Sequence, residues 1–261
     1  MSLKARYLSA GLALALVLSF SGCGSKEESP AEKAAAPAAA PATPVDPATA
    51  GAISGTVKLD GDAPKGKRIN MAAEPACASI HATPAMTEEV VTGDAGALQN
   101  VVVYVKEGLG NRTFATNSAP VVIDQKGCLY TPHVVALQVG QPLNVTNDDK
   151  TTHNIHPTPA NNKEWNESQA PGSAKLEKTF AREEIAIPVK CNVHPWMKSY
   201  IAVFKHPYFS VSGKSGGFEI KNLPPGEYTL EAWHEKLGTS TQKVTIGPKE
   251  TKSVSFVFKA A

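Results

Sequence analysis

Beyond residue 50 the chain never sustains a helical repeat of apolar residues. It alternates in short runs broken by glycine, proline and Asx turns. Period-two alternation puts successive side chains on opposite faces of a strand, and short runs bounded by turn residues read as strands. Residues 53–59, 100–106, 121–124, 134–139, 142–147, 176–180, 185–189 and 199–204 qualify, as do 208–212, 217–220, 228–234, 242–246 and 252–258. Strands this short and this often interrupted predict an all-β, Greek-key sandwich architecture. With 261 residues, one or two domains are expected after processing.

The first 50 residues break that pattern. Lys4 and Arg6 precede an apolar run at residues 11–20 that is too short to span a bilayer permanently, so residues 1–22 read as a secretory leader. Phe20-Ser21-Gly22-Cys23 resembles a bacterial lipoprotein processing box, which implies lipidation of Cys23. Gly24 rather than Asp follows it, which for that pathway implies the outer membrane, facing the periplasm. Two or more acyl chains suffice for stable anchoring. Residues 23–50 are rich in Ala and Pro and bury little, so a disordered or extended tether is expected, reaching roughly 80 Å at ~3.1 Å per residue. Without Lys4 and Arg6 the chain carries 24 basic and 24 acidic residues, a balance that excludes nucleic acid and strong electrostatic binding to a membrane surface.

One stretch carries chemistry. Cys191-Asn192-Val193-His194-Pro195-Trp196-Met197 sets a thiol, an imidazole and a thioether on one short turn. With one further histidine these make a Cys/His/His set with a weak axial Met, the ligand set of an electron-transfer copper site. The best source of that histidine is the run from Asn147 to His156. Period two puts His153 and Ile155 on one face and His156 on the other, so the two histidines compete.

Cys-x-x-His-x-x-Met and the upstream His-Asn-Ile-His together resemble the amicyanin- and plastocyanin-like cupredoxins, a family of blue copper proteins. The lead-in from Tyr130-Thr131-Pro132 to Leu143 is similar as well, and the resemblance covers roughly residues 120–204. It implies a mononuclear type 1 copper held by His153, Cys191, His194 and Met197. Asn154 would hydrogen-bond across to the thiolate loop, and Pro195 would remove an amide near the sulfur. Trp196 would form an exposed apolar rim beside His194 where a redox partner docks. Three features depart from the family: Val189 where an aromatic residue is usual, an extra segment at about 62–98, and additional sequence after residue 205.

The four cysteines are Cys23, Cys77, Cys128 and Cys191. With Cys23 lipidated and Cys191 on metal, Cys77 and Cys128 remain, and an oxidising compartment makes a disulfide the expectation; two buried thiols are the alternative. Cys128 with His133 and Cys77 with His81 also invite a second metal site. After residue 206, Gly217-Phe218 and Leu223-Pro224-Pro225-Gly226-Glu227-Tyr228 resemble the carboxypeptidase regulatory-like (transthyretin-like) sandwich family, which has no chemistry of its own. The expected domains are therefore 51–205, cupredoxin-like, and 206–261, a smaller transthyretin-like sandwich. Ser54-Gly55-Thr56-Val57 also resembles that family's first strand, which leaves open an insertion of one sandwich into the other.

The expectation is a one-electron carrier, not an enzyme, cycling Cu(II)/Cu(I). Its partner would be a redox protein such as a c-type cytochrome or a membrane oxidoreductase, and its membrane contact the lipid anchor. A copper-buffering or delivery lipoprotein and a purely structural envelope module are the alternatives. A multicopper oxidase needs further histidine clusters, a dinuclear centre needs a second cysteine on the 191–197 loop, and no nucleophile-base pair or phosphate loop is visible.

Overall fold

The chain enters one sandwich with β1 (Gly51–Asp60) and β2 (Val102–Glu107) and leaves it to build a second. That second sandwich comprises β3 (Val121–Gln125), β4 (Tyr130–Thr131), β5 (Val134–Gln138), β6 (Leu143–Asn147), β7 (His153–Pro157), β8 (Glu167–Gln169), β9 (Leu176–Lys178), β10 (Glu184–Lys190) and β11 (Lys198–Phe204). The chain then returns with β12 (Phe209–Val211), β13 (Gly217–Leu223), β14 (Gly226–His234), β15 (Gly238–Ile246) and β16 (Thr251–Lys259). This computed structural model describes residues 42–260. The expected leader, the Cys23 lipidation site and most of the tether lie outside the described residues. Among the described residues no helix is long and apolar enough to cross a membrane.

The outer sandwich packs the sheet β13-β1-β16 on the sheet β12-β2-β14-β15 over Ile53, Val57, Val103, Val105, Leu230 and Phe256. The inserted sandwich packs β5-β11-β10-β7-β8 on β4-β3-β6-β9 over Ile123, Leu137, Val145, Ile155, Ile187 and Ile201. Alternation drives both: in β16, Val254, Phe256 and Phe258 face inward while their neighbours are exposed. Gly55 has no side chain because a Cβ there would meet the Val254 carbonyl oxygen at 1.8 Å.

The sheets do not divide at 205/206 as the sequence suggested. β1 pairs in parallel with β16 from Ala52↔Thr251 to Asp60↔Lys259, and β2 pairs with β14 and β12. The sandwich of β3–β11 is thus inserted between β2 and β12, the arrangement the sequence left open. No local pattern encodes a pairing between strands at opposite ends of the chain, so the boundary read from sequence fell at a change of composition instead.

A third apolar cluster joins the sandwiches. Val102 and Tyr104 of β2 meet Val134 of β5 and Ala202 and Phe204 of β11, with the Tyr104 and Phe204 ring centroids 4.8 Å apart. The β1–β2 connection also crosses over. It carries a short helix, α1 (Pro75–Ala78), which the sequence did not suggest, and buries Ile69, Met71 and Cys77 in the core of the inserted sandwich. A Cys77–Cys128 disulfide pins it there, as expected. The last part of the tether is ordered, contrary to expectation. Asp46 folds a local turn by accepting the Ala48 amide at 2.8 Å, and the Thr43 amide donates to the Thr113 carbonyl at 2.8 Å.

Candidate metal centre

The site forms where β7 meets the β10–β11 hairpin. β10 and β11 pair as far as Lys190↔Lys198, so residues 191–197 close that hairpin. The Cys191 amide donates to the Met197 carbonyl at 3.3 Å and the Met197 amide to the His194 carbonyl at 2.9 Å, folding the loop back on itself. β7 lies on the other side of β10 with Lys190↔His156, which carries His153 and Asn154 alongside the loop.

Three donors converge there. His153 Nδ1 lies 2.9 Å from His194 Nδ1, and Cys191 Sγ lies 3.9 Å from His194 Nδ1. All three residues place a ligand atom within 4.8 Å of one another and can hold a metal ion. The spacing suits one: two nitrogens each about 2.0 Å from a common ion stand about 2.9 Å apart at an angle of roughly 90°. His153, His194 and Met197 are 0 % exposed and Cys191 3 %. Met197 is thus buried at the opposite neck of the loop from Cys191.

Asn154 ties the two segments together. Its Oδ1 accepts the Asn192 amide at 2.7 Å and lies 3.3 Å from Cys191 Sγ. Its Nδ2 donates to Asn166 at 2.7 Å and Asn192 at 3.2 Å. The His194 amide donates to Cys191 Sγ at 3.4 Å; Pro195, next along, is exposed and has no amide hydrogen to offer.

Asp149 is a functional residue that sequence reasoning missed. Its Oδ2 lies 2.9 Å from His153 Nε2, so a hydrogen bond there leaves Nδ1 bare and facing the other donors. The carboxylate is itself cradled: Oδ1 accepts the Gly127 amide and Oδ2 the Cys128 amide, each at 2.7 Å. Those amides sit at the tip of the β3–β4 hairpin, where Gly127 (φ +65°) and Cys128 (φ +54°) take the two left-handed positions of a type I′ turn. Burial works against the charged form of Asp149, but His153 and the two amides outweigh it and hold its carboxyl below the ordinary value. Burial likewise opposes the imidazolium of His153, yet Asp149 and Cys191 raise its pKa. The Cys191 thiol is raised by burial and lowered, on balance, by His153, Asn154 and the loop amides, which favours the thiolate. Burial pushes His194 down, so its ring is neutral.

His156 is not part of the cluster. Its Nδ1 faces Asn192 Oδ1 at 3.1 Å and its Nε2 faces Glu164 at 2.6 Å. Trp196 is not the open rim expected. It is half-buried, its indole donates to the Cys128 carbonyl at 3.0 Å, and its ring lies 5.2 Å from that of His194. The disulfide, not solvent, meets the outer edge of His194, with Cys77 Sγ 3.7 Å from Nε2. A second convergence of Cys128, Asp149 and His153 is closed to metal because Cys128 is in the disulfide. His133 pairs with Glu235 and His81 with the Gly127 carbonyl, so neither expected second-site histidine faces a free thiol.

No protein-family model and no curated protein matches the chain. Among solved structures it is similar to a copper-containing nitrite reductase (NirK) from Thermus scotoductus SA-01, at 20% identity and TM-score 0.31, over 37% of this chain and 24% of that one. It thus spans about a quarter of the reductase's length. It is also similar to a purple cupredoxin from Nitrosopumilus maritimus, at 26% identity and TM-score 0.28, over 33% of this chain and 98% of that one. A reduced amicyanin variant aligns at 18% identity and TM-score 0.30, over 39% of this chain and 97% of that one. Two packed sheets, parallel β3–β6 and β5–β11 pairs and the donor loop between β10 and β11 make the inserted part an all-β sandwich, the fold class expected from the sequence.

Proposed function

We propose that the chain is a mononuclear type 1 copper protein that carries single electrons. The observation that carries this reading is the convergence of His153 Nδ1, His194 Nδ1 and Cys191 Sγ in one buried cluster. The donor chemistry fits copper: thiolate sulfur suits Cu(I), imidazole suits copper and other late first-row metals, and the Met197 thioether would supply a weak axial contact. Cys191 is a free thiol in a chain that has joined Cys77 to Cys128, as a metal ligand must be.

Copper, when bound, supplies the Cu(II)/Cu(I) couple that no side chain here provides. The protein's own work is to hold the donors still. Asp149 fixes the His153 ring, Asn154 fixes the 191–197 loop, and full burial keeps water from the donor atoms. A site held this firmly from two strands and a hairpin loop reorganises little when charge changes, which favours electron transfer over chemistry on a substrate. The buffering alternative needs exchangeable metal, and donors this buried disfavour exchange. In the proposed setting, lipidated Cys23 and the tether hold the copper domain at the periplasmic side of the outer membrane. A redox protein, such as a c-type cytochrome or a membrane oxidoreductase, is the partner.

The test is optical. Full-length protein loaded with Cu(II) should show an intense visible band from thiolate-to-copper charge transfer, and Cys191→Ser should abolish it. A wild-type protein that stays colourless after loading would overturn the assignment.

A further inference from the structure

The disulfide lies against the imidazoles of the proposed copper site, and that role explains nothing about why it should. Cys77 Sγ is 3.7 Å from His194 Nε2, the sole hydrogen-bond contact of that nitrogen among the described residues. Cys128 Sγ lies within 4.8 Å of a ring nitrogen of His153 and of the Asp149 carboxylate. Cys77, Cys128 and His194 are all 0 % exposed. A disulfide offers a metal no thiolate, whereas the opened pair offers two beside an imidazole nitrogen. The spacing also suits a shared ion. Sulfur and nitrogen bound at about 2.3 and 2.0 Å, at a tetrahedral to trigonal angle, stand about 3.5–3.7 Å apart.

We infer that the reduced Cys77/Cys128 pair, with His194 Nε2, is a second soft-metal site suited to Cu(I), and that the disulfide is its closed form. A dithiol reductant delivers two electrons and two protons. The S–S bond breaks, two thiols form, and the reductant leaves as its own disulfide. Cu(I) then displaces the thiol protons to water. Thiolate softness selects Cu(I) over harder ions. The inference rests on the proposed copper reading only through the shared ring of His194.

The test removes the first site so that the second is read alone. Full-length Cys191→Ser protein is titrated anaerobically with Cu(I) against a chromophoric Cu(I) chelator, before and after dithiol treatment and desalting. Reduction is expected to raise Cu(I) affinity at least tenfold. The Cys77→Ser/Cys128→Ser/Cys191→Ser protein should gain nothing, and adding His194→Phe to Cys191→Ser should cut the gain. Equal affinity before and after reduction would overturn the inference, as would a gain that survives in the triple variant or is untouched by His194→Phe. Far-UV circular dichroism keeps the result interpretable: tight binding by a reduced chain that has lost its strand signal is binding by an unfolded dithiol, and also overturns it. The copper reading stands or falls separately, on the colour of the oxidised wild-type protein.

Discussion

Single side chains account for the cluster's polarity, and the decisive one is Asp149. With its carboxylate on His153 Nε2, the ring is aimed and its basicity raised, whereas an amide could accept the same hydrogen bond without the charge. Asp149→Asn should therefore keep the fold but weaken metal binding about 10- to 100-fold, measured by competition with a chelator of known affinity. Unchanged affinity would reduce Asp149 to a turn residue. Cys191 and His194 were legible in the sequence as candidate donors because Cys-x-x-His-x-x-Met combines donor types that rarely fall together. Asp149 was not, because Asp148-Asp149-Lys150 looks like a solvated turn and nothing local marks one of the two carboxylates as buried. His206 and His234 raise a separate matter. Burial pushes both down to about 4. Each also accepts backbone amides at Nδ1, His206 from Tyr208 at 3.2 Å and His234 from Lys236 at 3.1 Å. The unfolded chain takes up these protons near pH 6.5, the fold only near 4, so their support for folding is complete above 6.5 and declines as pH falls towards 4. Each contributes up to roughly 3 kcal/mol of that loss. Denaturant midpoints at pH 7 and pH 4.5 should differ accordingly, and His234→Asn, which keeps an acceptor but cannot titrate, should remove the share of the difference due to His234 and leave that of His206.

Elements were legible where alternation and turn chemistry agree, as in β10, β11, β14 and β16. They were missed where the chain is short and its order comes from elsewhere. β8 lies in a stretch read as loop and exists by pairing with β7 at His153↔Gln169. α1 has Pro75 at its start but no side-chain cap, and is held by Cys77 instead. The segment at 62–98 looked like an appendage, yet it is the strap that the outer sandwich lays across the 191–197 loop, with Cys77 against His194. Its staple closes a separation of 51 residues, which in the chain-entropy model stabilises the fold by roughly 4 kcal/mol. Cys77→Ser/Cys128→Ser should lower stability by about that amount in denaturant titrations while leaving the visible band of the copper-loaded protein in place. Loss of the band at native strand content would instead make the disulfide part of the ligand scaffold.

For the molecule as a whole, insertion poses the question of whether two sandwiches behave as one. The register that answers it was illegible in the sequence, since β1 and β16 find each other across nearly the full described chain. Three links cross between the halves: the strap with its disulfide, the β2 and β12 entry and exit strands, and the cluster around Phe204. Phe204 is fully buried on β11, with ring centroids 4.8 Å from both Tyr104 of β2 and Phe209 of β12. Removing a buried aromatic ring typically costs about 3–5 kcal/mol. If the halves were independent, that loss would fall on the inserted sandwich alone, because Phe204 belongs to its sheet. Coupled halves share it. Phe204→Ala should then lower, by the same amount, the temperature at which the visible band is lost and the temperature at which the β1 and β16 amides lose hydrogen-exchange protection. Wild-type protein should lose both together, since the β12-β2-β14-β15 sheet of the outer sandwich cannot keep its β2 face buried once β11 has gone. An unshifted β1–β16 transition beside an earlier loss of colour would show the inserted sandwich melting off a scaffold that does not need it.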